Sequence, residues 1–392
     1  MNREYRNYVQ IDLDKIDENY EIIRKIVGTD CKIMTVVKAD AYGHGLKKCS
    51  AACESKTDWF ATATLEEAIA VRSAMVNKPI LIFGPINLNK LELAYKMDLT
   101  LSVGSEEYAR KILSFCEKNG AKIKCHIKLD TGLNRMGITC RRNRMDECVS
   151  EVERILAMKC FITEGIYTHL SCADSKDEDD ISFTREQFSV FTEACGILER
   201  KGCDLGLKHC CSTTGIICCP EMRLDMVRTG MLVFGQGISN ESVSELGIKP
   251  ILTWHAKIAR IRNVEAGESI GYGRAYITKE PKRIAVVSAG YADGFKRNYS
   301  NKARVIINGH YAPVLGNICM DYFMADVSQI KEAGVGDDVI LLGSDGSLSI
   351  TANELSDLNN ATPGDVTCSV SARVPRLYYR GKRYICREIL FH

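Results

Sequence analysis

From about residue 8 to 235, short apolar runs alternate with amphipathic stretches. The runs YVQIDL (8–13), KIMTVVKA (32–39), WFATAT (59–64), PILIFG (79–84), LTLSVG (99–104), KIKCHIKLD (122–130), EGIYTHL (164–170), GLKHCCS (206–212) and DMVRTGMLVFG (225–235) have the length and content of buried strands. The clearest helical pattern between them is SFTREQFSVFTEACGILERKG (182–202), where Phe183, Phe188, Phe191, Cys195 and Leu198 recur at helical steps and Gly202 closes the helix. Strand, helix, strand in this rhythm builds βαβ units around a parallel sheet. About eight such units after the first strand, in a region near 230 residues long, predict a (β/α)8 TIM-like barrel.

After about Leu246 the texture changes. ILTWHAKIARIRNV, RIAVVSAGY, KARVIINGHYAPVLG, DYFMADVS and DDVILLG read as strands joined by turns, and long helices nearly vanish. The pattern predicts an α/β chain: a barrel over 1–245, then a mostly-β domain over 246–392, joined near VSELGIKP (243–250). The first strand, 8–13, is open to pairing with the C-terminal domain instead.

Composition narrows the function. With 45% hydrophobic and 26% charged residues the chain is ordinary for a globular protein, and a net charge of +2 gives no footprint for nucleic acid. No apolar run approaches the ~20 residues of a membrane span, and the N-terminus MNREYRNYVQIDLDKI has no apolar signal core. A cytoplasmic protein without membrane or nucleic-acid partners is expected. The eighteen cysteines include no C-x-x-C pair and sit inside apolar segments, so they read as reduced core residues rather than disulfides or a zinc site.

Candidate chemistry lies at the strand ends, where barrels build their sites. KIMTVVKA delivers Lys38; KIKCHIKLD delivers Lys128 and Asp130, and the following loop TGLNRMG brings Arg135. EGIYTHL brings Tyr167 and His169, GLKHCCS brings His209, with Ser212 and Thr213 at its end, and DMVRTGM brings Arg228 and Gly230. No G-x-S-x-G elbow and no phosphate-binding Walker loop occurs. A lysine in apolar surroundings is available as a neutral amine nucleophile and suits a Schiff base. The Ser212–Thr213 hydroxyls and glycine-flanked strand ends suit a phosphate. Together they suggest pyridoxal phosphate.

VVKADAYGHG, KLDTGLNRMG, GIYTHL, MVRTGM, ESIGYGRAY, VSAGYADG and GNICMD, in this order from Ile11 to the RVPR at 373–376, closely resemble the bacterial alanine racemases, pyridoxal-phosphate enzymes of fold type III. The resemblance implies a homodimer that interconverts L- and D-alanine for peptidoglycan. It implies Lys38 as the Schiff-base lysine and catalytic base on one face, and Tyr272, reaching into the partner's barrel, as the base on the other. Tyr42, Ser212, Thr213, Gly230 and Met231 would hold the cofactor phosphate; His169 would pack near the pyridine ring and link to Tyr272, and Arg228 would bond the pyridine nitrogen. Arg135 and the backbone of Met320 would receive the substrate carboxylate, with Lys128, Tyr291 and Asp321 beside it. Lys128 matches a lysine often carbamylated in the family. A free tyrosine ionises near ~10 and needs a cationic neighbourhood to act as a base, which His169 and Arg228 are expected to supply.

Four positions depart from the family pattern. Ser212 and Thr213 stand where Asn and Ser are usual, and Asn317 where an Arg often precedes the ICMD run. Ala372 replaces a tyrosine that touches the phosphate and walls the substrate pocket. The lost ring makes serine, or serine with alanine, the alternative substrate, as in the racemase parts of vancomycin-resistance serine racemases. A fold type III decarboxylase of basic amino acids, with Cys319 as its acid, is the more distant reading. A non-catalytic cofactor-binding barrel is opposed by residues 246–392 and Tyr272.

Overall fold

In the computed structural model, which describes residues 4–389, the chain forms two compact units. One comprises Tyr20–Ala41 and Leu46–Val233; the other comprises the residues up to Asn19, Tyr42–Gly45 and those from Phe234 onward. Every apolar run read as a strand contains one. The first, β1 (Asn7–Asp12), lies in the second unit, between the strands Leu252–Val264 and Arg376–Arg380.

The first unit is a nearly closed parallel barrel. Its strands are β2 (Lys32–Val36), β3 (Trp59–Thr62), β4 (Ile80–Ile82), β5 (Thr100–Val103), β6 (Ile123–Asp130) with the short β7 (Ile138–Thr139) at its end, β8 (Phe161–Tyr167), β9 (Leu207–His209) and β10 (Met226–Thr229). They pair in the order β10-β2-β3-β4-β5-β6-β8-β9. The seam between β9 and β10 is bridged by the Asp225 N–H to the Lys208 carbonyl (3.1 Å) and the Arg228 N–H to the Cys211 carbonyl (3.0 Å). Strands β3 and β5 are buried along their whole length, as covering helices require of a parallel sheet. Local signals start and stop those helices. Thr64 and Glu67 form a capping box on Leu65–Ser73, and Gly120, at φ 60°, ends Glu106–Asn119.

The helix expected over 182–202 runs from Glu178 to Arg200, with a buried stripe of Thr184, Gln187, Phe191, Cys195 and Leu198. Phe183, expected in that stripe, is exposed. Gln187 is buried instead, because its Oε1 accepts the Ser171 N–H at 2.9 Å.

The second unit is mostly β. Its longest strand, β11 (Leu252–Val264), pairs with Lys282–Val287; the sheet then runs through Phe323–Asp326, His310–Leu315 and Arg304–Ile307 to Asp338–Asp345, which pairs back to β11. Six strands thus close on themselves and leave no edge there. Trp254, Phe295, Tyr299 and Phe323 fill the interior, with ring centroids 4.8–6.1 Å apart along the chain of contacts. Among the described residues no helix is long and apolar enough to cross a membrane. Twelve of the eighteen cysteines are buried.

Candidate active site

Strand β2 stops at Val36, three residues short of the run that suggested it. Lys38 then opens a turn in which Ala39, Asp40, Ala41 and Tyr42 all take left-handed φ angles of 53°, 56°, 52° and 54°. For L-residues this conformation costs roughly 1–2 kcal/mol each, so the surroundings must impose it. The Ala39 N–H donates to Glu67 Oε1 (2.7 Å), the Leu46 N–H to Asp40 Oδ1 (2.8 Å) and the Ala41 N–H to the Val37 carbonyl (2.9 Å). Glu67 Oε2 also accepts from the Ala63 N–H at 2.8 Å, so one carboxylate caps a helix and clamps the turn. The glycines that follow permit close packing: a Cβ on Gly43 would lie 2.0 Å from the Thr367 carbonyl oxygen, and one on Gly45 would lie 1.7 Å from Tyr378 Oη.

In the barrel unit, Lys38, Lys128, Arg135 and Arg228 converge closely enough that all four act on His169. Asp130 is the carboxylate that acts on Lys128 among them. Burial first, then Arg135 and Arg228, pulls the Lys128 ammonium down to about 8. Such a cluster selects anionic ligands.

Arg228 organises the base of this group. Nη1 donates to His209 Nδ1 (2.8 Å) and the His209 carbonyl (3.2 Å); Nη2 donates to His169 Nδ1 (3.0 Å) and the carbonyls of Thr168 (2.9 Å) and Cys210 (2.7 Å). A guanidinium can only donate, so both histidines accept at Nδ1 and carry their protons on Nε2. His209 therefore donates from Nε2 to His126 Nδ1 at 2.9 Å. Burial, then the charge of Arg228, holds all three histidines below their usual range, with His126 at about 3. Within the His169–Arg228 pair, Arg228 holds the charge, and His169 is a neutral ring with an Nε2–H to offer. Among the described residues Arg228's bonds all leave from Nη1 and Nη2, which leaves its Nε–H as a donor for a ligand.

Thr213 is buried at the first position of Thr213–Cys218, and Ser212 Oγ lies 3.0 Å from Thr214 Oγ1. Gly230 is buried and Met231 partly exposed. Beside Gly230, Thr229 Oγ1 is buried without a hydrogen-bond partner.

The second unit gathers a separate group. The Tyr291 and Ala292 N–H groups donate to the carbonyls of Cys319 and Met320, both at 3.0 Å. Any side chain at Gly290 would collide with the Met320 carbonyl oxygen, 2.3 Å from its Cβ. Arg373 bridges Asp293 and Asp321, at 2.7 Å to each, which brings the segment carrying the exposed Ala372 beside them. Asn317 Nδ2 donates to the Tyr272 carbonyl at 2.8 Å and ties down its loop. Tyr272 itself is 68% exposed, and Met320 and Tyr291 are exposed as well. The Tyr42 ring lies tilted against Phe234 with centroids 5.9 Å apart, and burial raises its phenol above the usual range.

These residues fit pyridoxal phosphate. The barrel group has an amine at Lys38, an excess of cations for a phosphate and a carboxylate, the open Arg228 Nε–H for a ring nitrogen and the unpaired Thr229 hydroxyl. Among the described residues no group of three or more His, Cys, Asp or Glu side chains is placed to hold a metal ion. Sequence reasoning missed Glu67 and Asp40 as parts of the site. Only Glu67 left a signal, in the T-x-x-E spacing of Thr64 and Glu67.

Comparison with known proteins agrees over the whole length. The family profile described as "Alanine racemase, N-terminal domain" matches residues 11–237, and "Alanine racemase, C-terminal domain" matches 251–378. The chain is 36% identical to alanine racemase 2 of Caldanaerobacter subterraneus subsp. tengcongensis over 97% of each chain. It is 37% identical to the alanine racemase of Methanococcus maripaludis over 95% of this chain and 98% of that one. The solved structure of alanine racemase from Bacillus anthracis with bound L-Ala-P superimposes with a TM-score of 0.89 at 29% identity, over 97% of both chains. That from Clostridium difficile 630 gives 0.88 at 31%, over 98% of both.

Proposed function

The chain belongs to the alanine racemase family, and from that premise we propose how its residues divide the work. It is a pyridoxal-phosphate-dependent isomerase that interconverts L- and D-alanine. When bound, the cofactor draws electrons from the substrate's Cα and so acidifies the proton there. Racemisation needs that proton removed from one face and returned on the other.

Lys38, at the head of the clamped turn, holds the cofactor and moves the proton on one face. Tyr272 of the partner subunit moves it on the opposite face. The neutral His169 has an Nε2–H to donate to that tyrosine's oxygen, which stabilises the deprotonated form a base requires. Arg228, which can only donate, would hold the cofactor's ring nitrogen and leave it unprotonated. This restrains charge build-up on the ring and disfavours side reactions. Arg135 and the Met320 backbone receive the substrate carboxylate, and Lys128, Tyr291 and Asp321 support them. Tyr42, Ser212, Thr213, Gly230 and Met231 hold the phosphate.

The observation that carries this reading is the convergence of Lys38, Lys128, Arg135 and Arg228 around one neutral histidine. The 68% exposure of Tyr272 favours a homodimer, since covering it would exclude water and strengthen the electrostatics around a proton-transfer base. A cytoplasmic enzyme supplying D-alanine for peptidoglycan is the setting we infer. The deciding experiment is a D-amino-acid oxidase assay over L-Ala, L-Ser, L-Lys and L-Arg. D-alanine formation lost in Lys38→Ala supports the reading; product from lysine or arginine alone refutes it.

A further inference from the structure

The loop carrying Arg135 is held by a carboxylate–guanidinium pair that lies outside the substrate contacts. Asp130 ends β6 and is nearly buried. Its Oδ1 accepts the N–H groups of Gly132 (2.9 Å) and Asn134 (3.1 Å), and its Oδ2 accepts that of Arg135 itself (3.0 Å). Burial pushes the Asp130 carboxyl up, but these bonds and the charge of Arg141 outweigh it and hold it below its usual range.

Arg141, just past β7, grips the loop from its other end. Nη1 donates to the carbonyls of Asp130 and, at 2.8 Å, Cys140; Nη2 donates to Asp130 Oδ1 (3.3 Å) and Asn134 Oδ1 (2.7 Å). The loop closes tightly between the two. Asn134 is left-handed at φ 54°, and a Cβ on Gly137 would sit 2.9 Å from the Asp130 nitrogen. The exposed side chain of Arg135 thus springs from a backbone whose course is set before any ligand arrives.

We propose that Asp130 and Arg141 are positioning residues for substrate-carboxylate recognition: they fix the backbone of Arg135 so that its guanidinium does not have to be ordered on binding. A long side chain loses freedom when it captures a ligand, and anchoring its root removes part of that loss. The effect falls on binding of the carboxylate rather than on proton transfer. The proposal rests on Arg135 as the carboxylate receptor, and its test separates the two.

Holoenzyme kinetics are compared for Arg141→Met, Arg141→Lys and Arg135→Met, with propionate and ethylamine as inhibitors. Propionate offers a carboxylate without an amine, and ethylamine an amine without a carboxylate. Arg141→Met is expected to raise the KM for alanine and the inhibition constant of propionate about tenfold, with kcat and the ethylamine constant nearly unchanged. Arg141→Lys should recover part of the loss, since one ammonium cannot span both ends of the loop. Equal weakening of propionate and ethylamine would mean general damage and overturn the proposal. So would an unchanged propionate constant in Arg141→Met when Arg135→Met raises it. If Arg135→Met itself leaves propionate binding intact, the assignment of Arg135 is what fails, and the proposal falls with it. Asp130→Asn serves as the second variant should Arg141→Met not fold, with the same outcomes read the same way.

Discussion

The two units prepare their functional groups in opposite ways. In the barrel, the side chains themselves are fixed: Arg228 is buried and bonded to two histidines and three carbonyls before any ligand is present. In the β unit, the backbone is fixed but the side chains are open. Tyr272 and Tyr291 ride on loops pinned by Asn317 and by the carbonyls of Cys319 and Met320, yet both rings face solvent. The barrel presents a group already fixed in place, whereas the β unit presents exposed rings on a fixed backbone. Preorganisation is found where charge must be held, and reach is left in the unit for which a partner chain is proposed.

The comparison breaks first at Lys38. Lys38→Ala should abolish the visible absorbance of bound cofactor and cut racemisation by at least about 10⁴-fold. Retained turnover would remove the barrel half-site from the chemistry. Next, Tyr272→Phe should cost about 10²–10⁴-fold in kcat with the cofactor spectrum unchanged. Co-expressing Tyr272→Phe with Lys38→Ala chains should restore activity, because a mixed dimer keeps one barrel lysine facing an intact tyrosine. A mixture as inactive as its parents would mean that each chain uses its own tyrosine.

A pH titration sharpens the contrast. Lys128 ionises at about 8 in the folded barrel but near ~10.4 when unfolded. The native state therefore binds this proton less tightly, and the charged lysine is a destabilising group below pH ~8. That penalty fades as pH rises from about 8 toward 10.4, because the unfolded state then loses the proton as well. In cofactor-stripped protein, Lys128→Met should raise Tm at pH 7 and raise it less at pH 9.5. A gain independent of pH would show that the cation cluster does not burden the lysine. The smallest effect is expected in the β unit. Ala372→Tyr should lower the serine-to-alanine ratio of kcat/KM by about tenfold or less; no change would mean that other groups already wall that side of the pocket.

Legibility in the sequence follows the same division. The strand runs, the long helix near 182–202 and the change of texture near Leu246 were readable because burial imposes period and composition. Lys38, His169 and Arg228 stood out because barrel strands have no structural need for such side chains at their ends. The histidine chain was less visible. His126 lies inside an apolar run, and only the fold shows that it meets His209. The left-handed turn was invisible, since Ala-Asp-Ala-Tyr carries no glycine and its conformation is enforced by Glu67, distant in sequence. Arg141 sits in CRRNRMDE, a stretch that reads as a solvated helix end, and its role exists only once β6 and β7 are brought together.

That turn can also be seen as a mechanical part. Four residues wound against the chain's natural hand form a loaded spring, and the Glu67 carboxylate is one of its latches. The latch belongs to the first turn of Leu65–Ser73, so fraying of that helix end would release one of the turn's holds. The freedom of Lys38 is thereby geared to the integrity of a neighbouring helix rather than to its own sequence. In the role proposed for it, Lys38 is mounted on a pivot whose stiffness is set from outside.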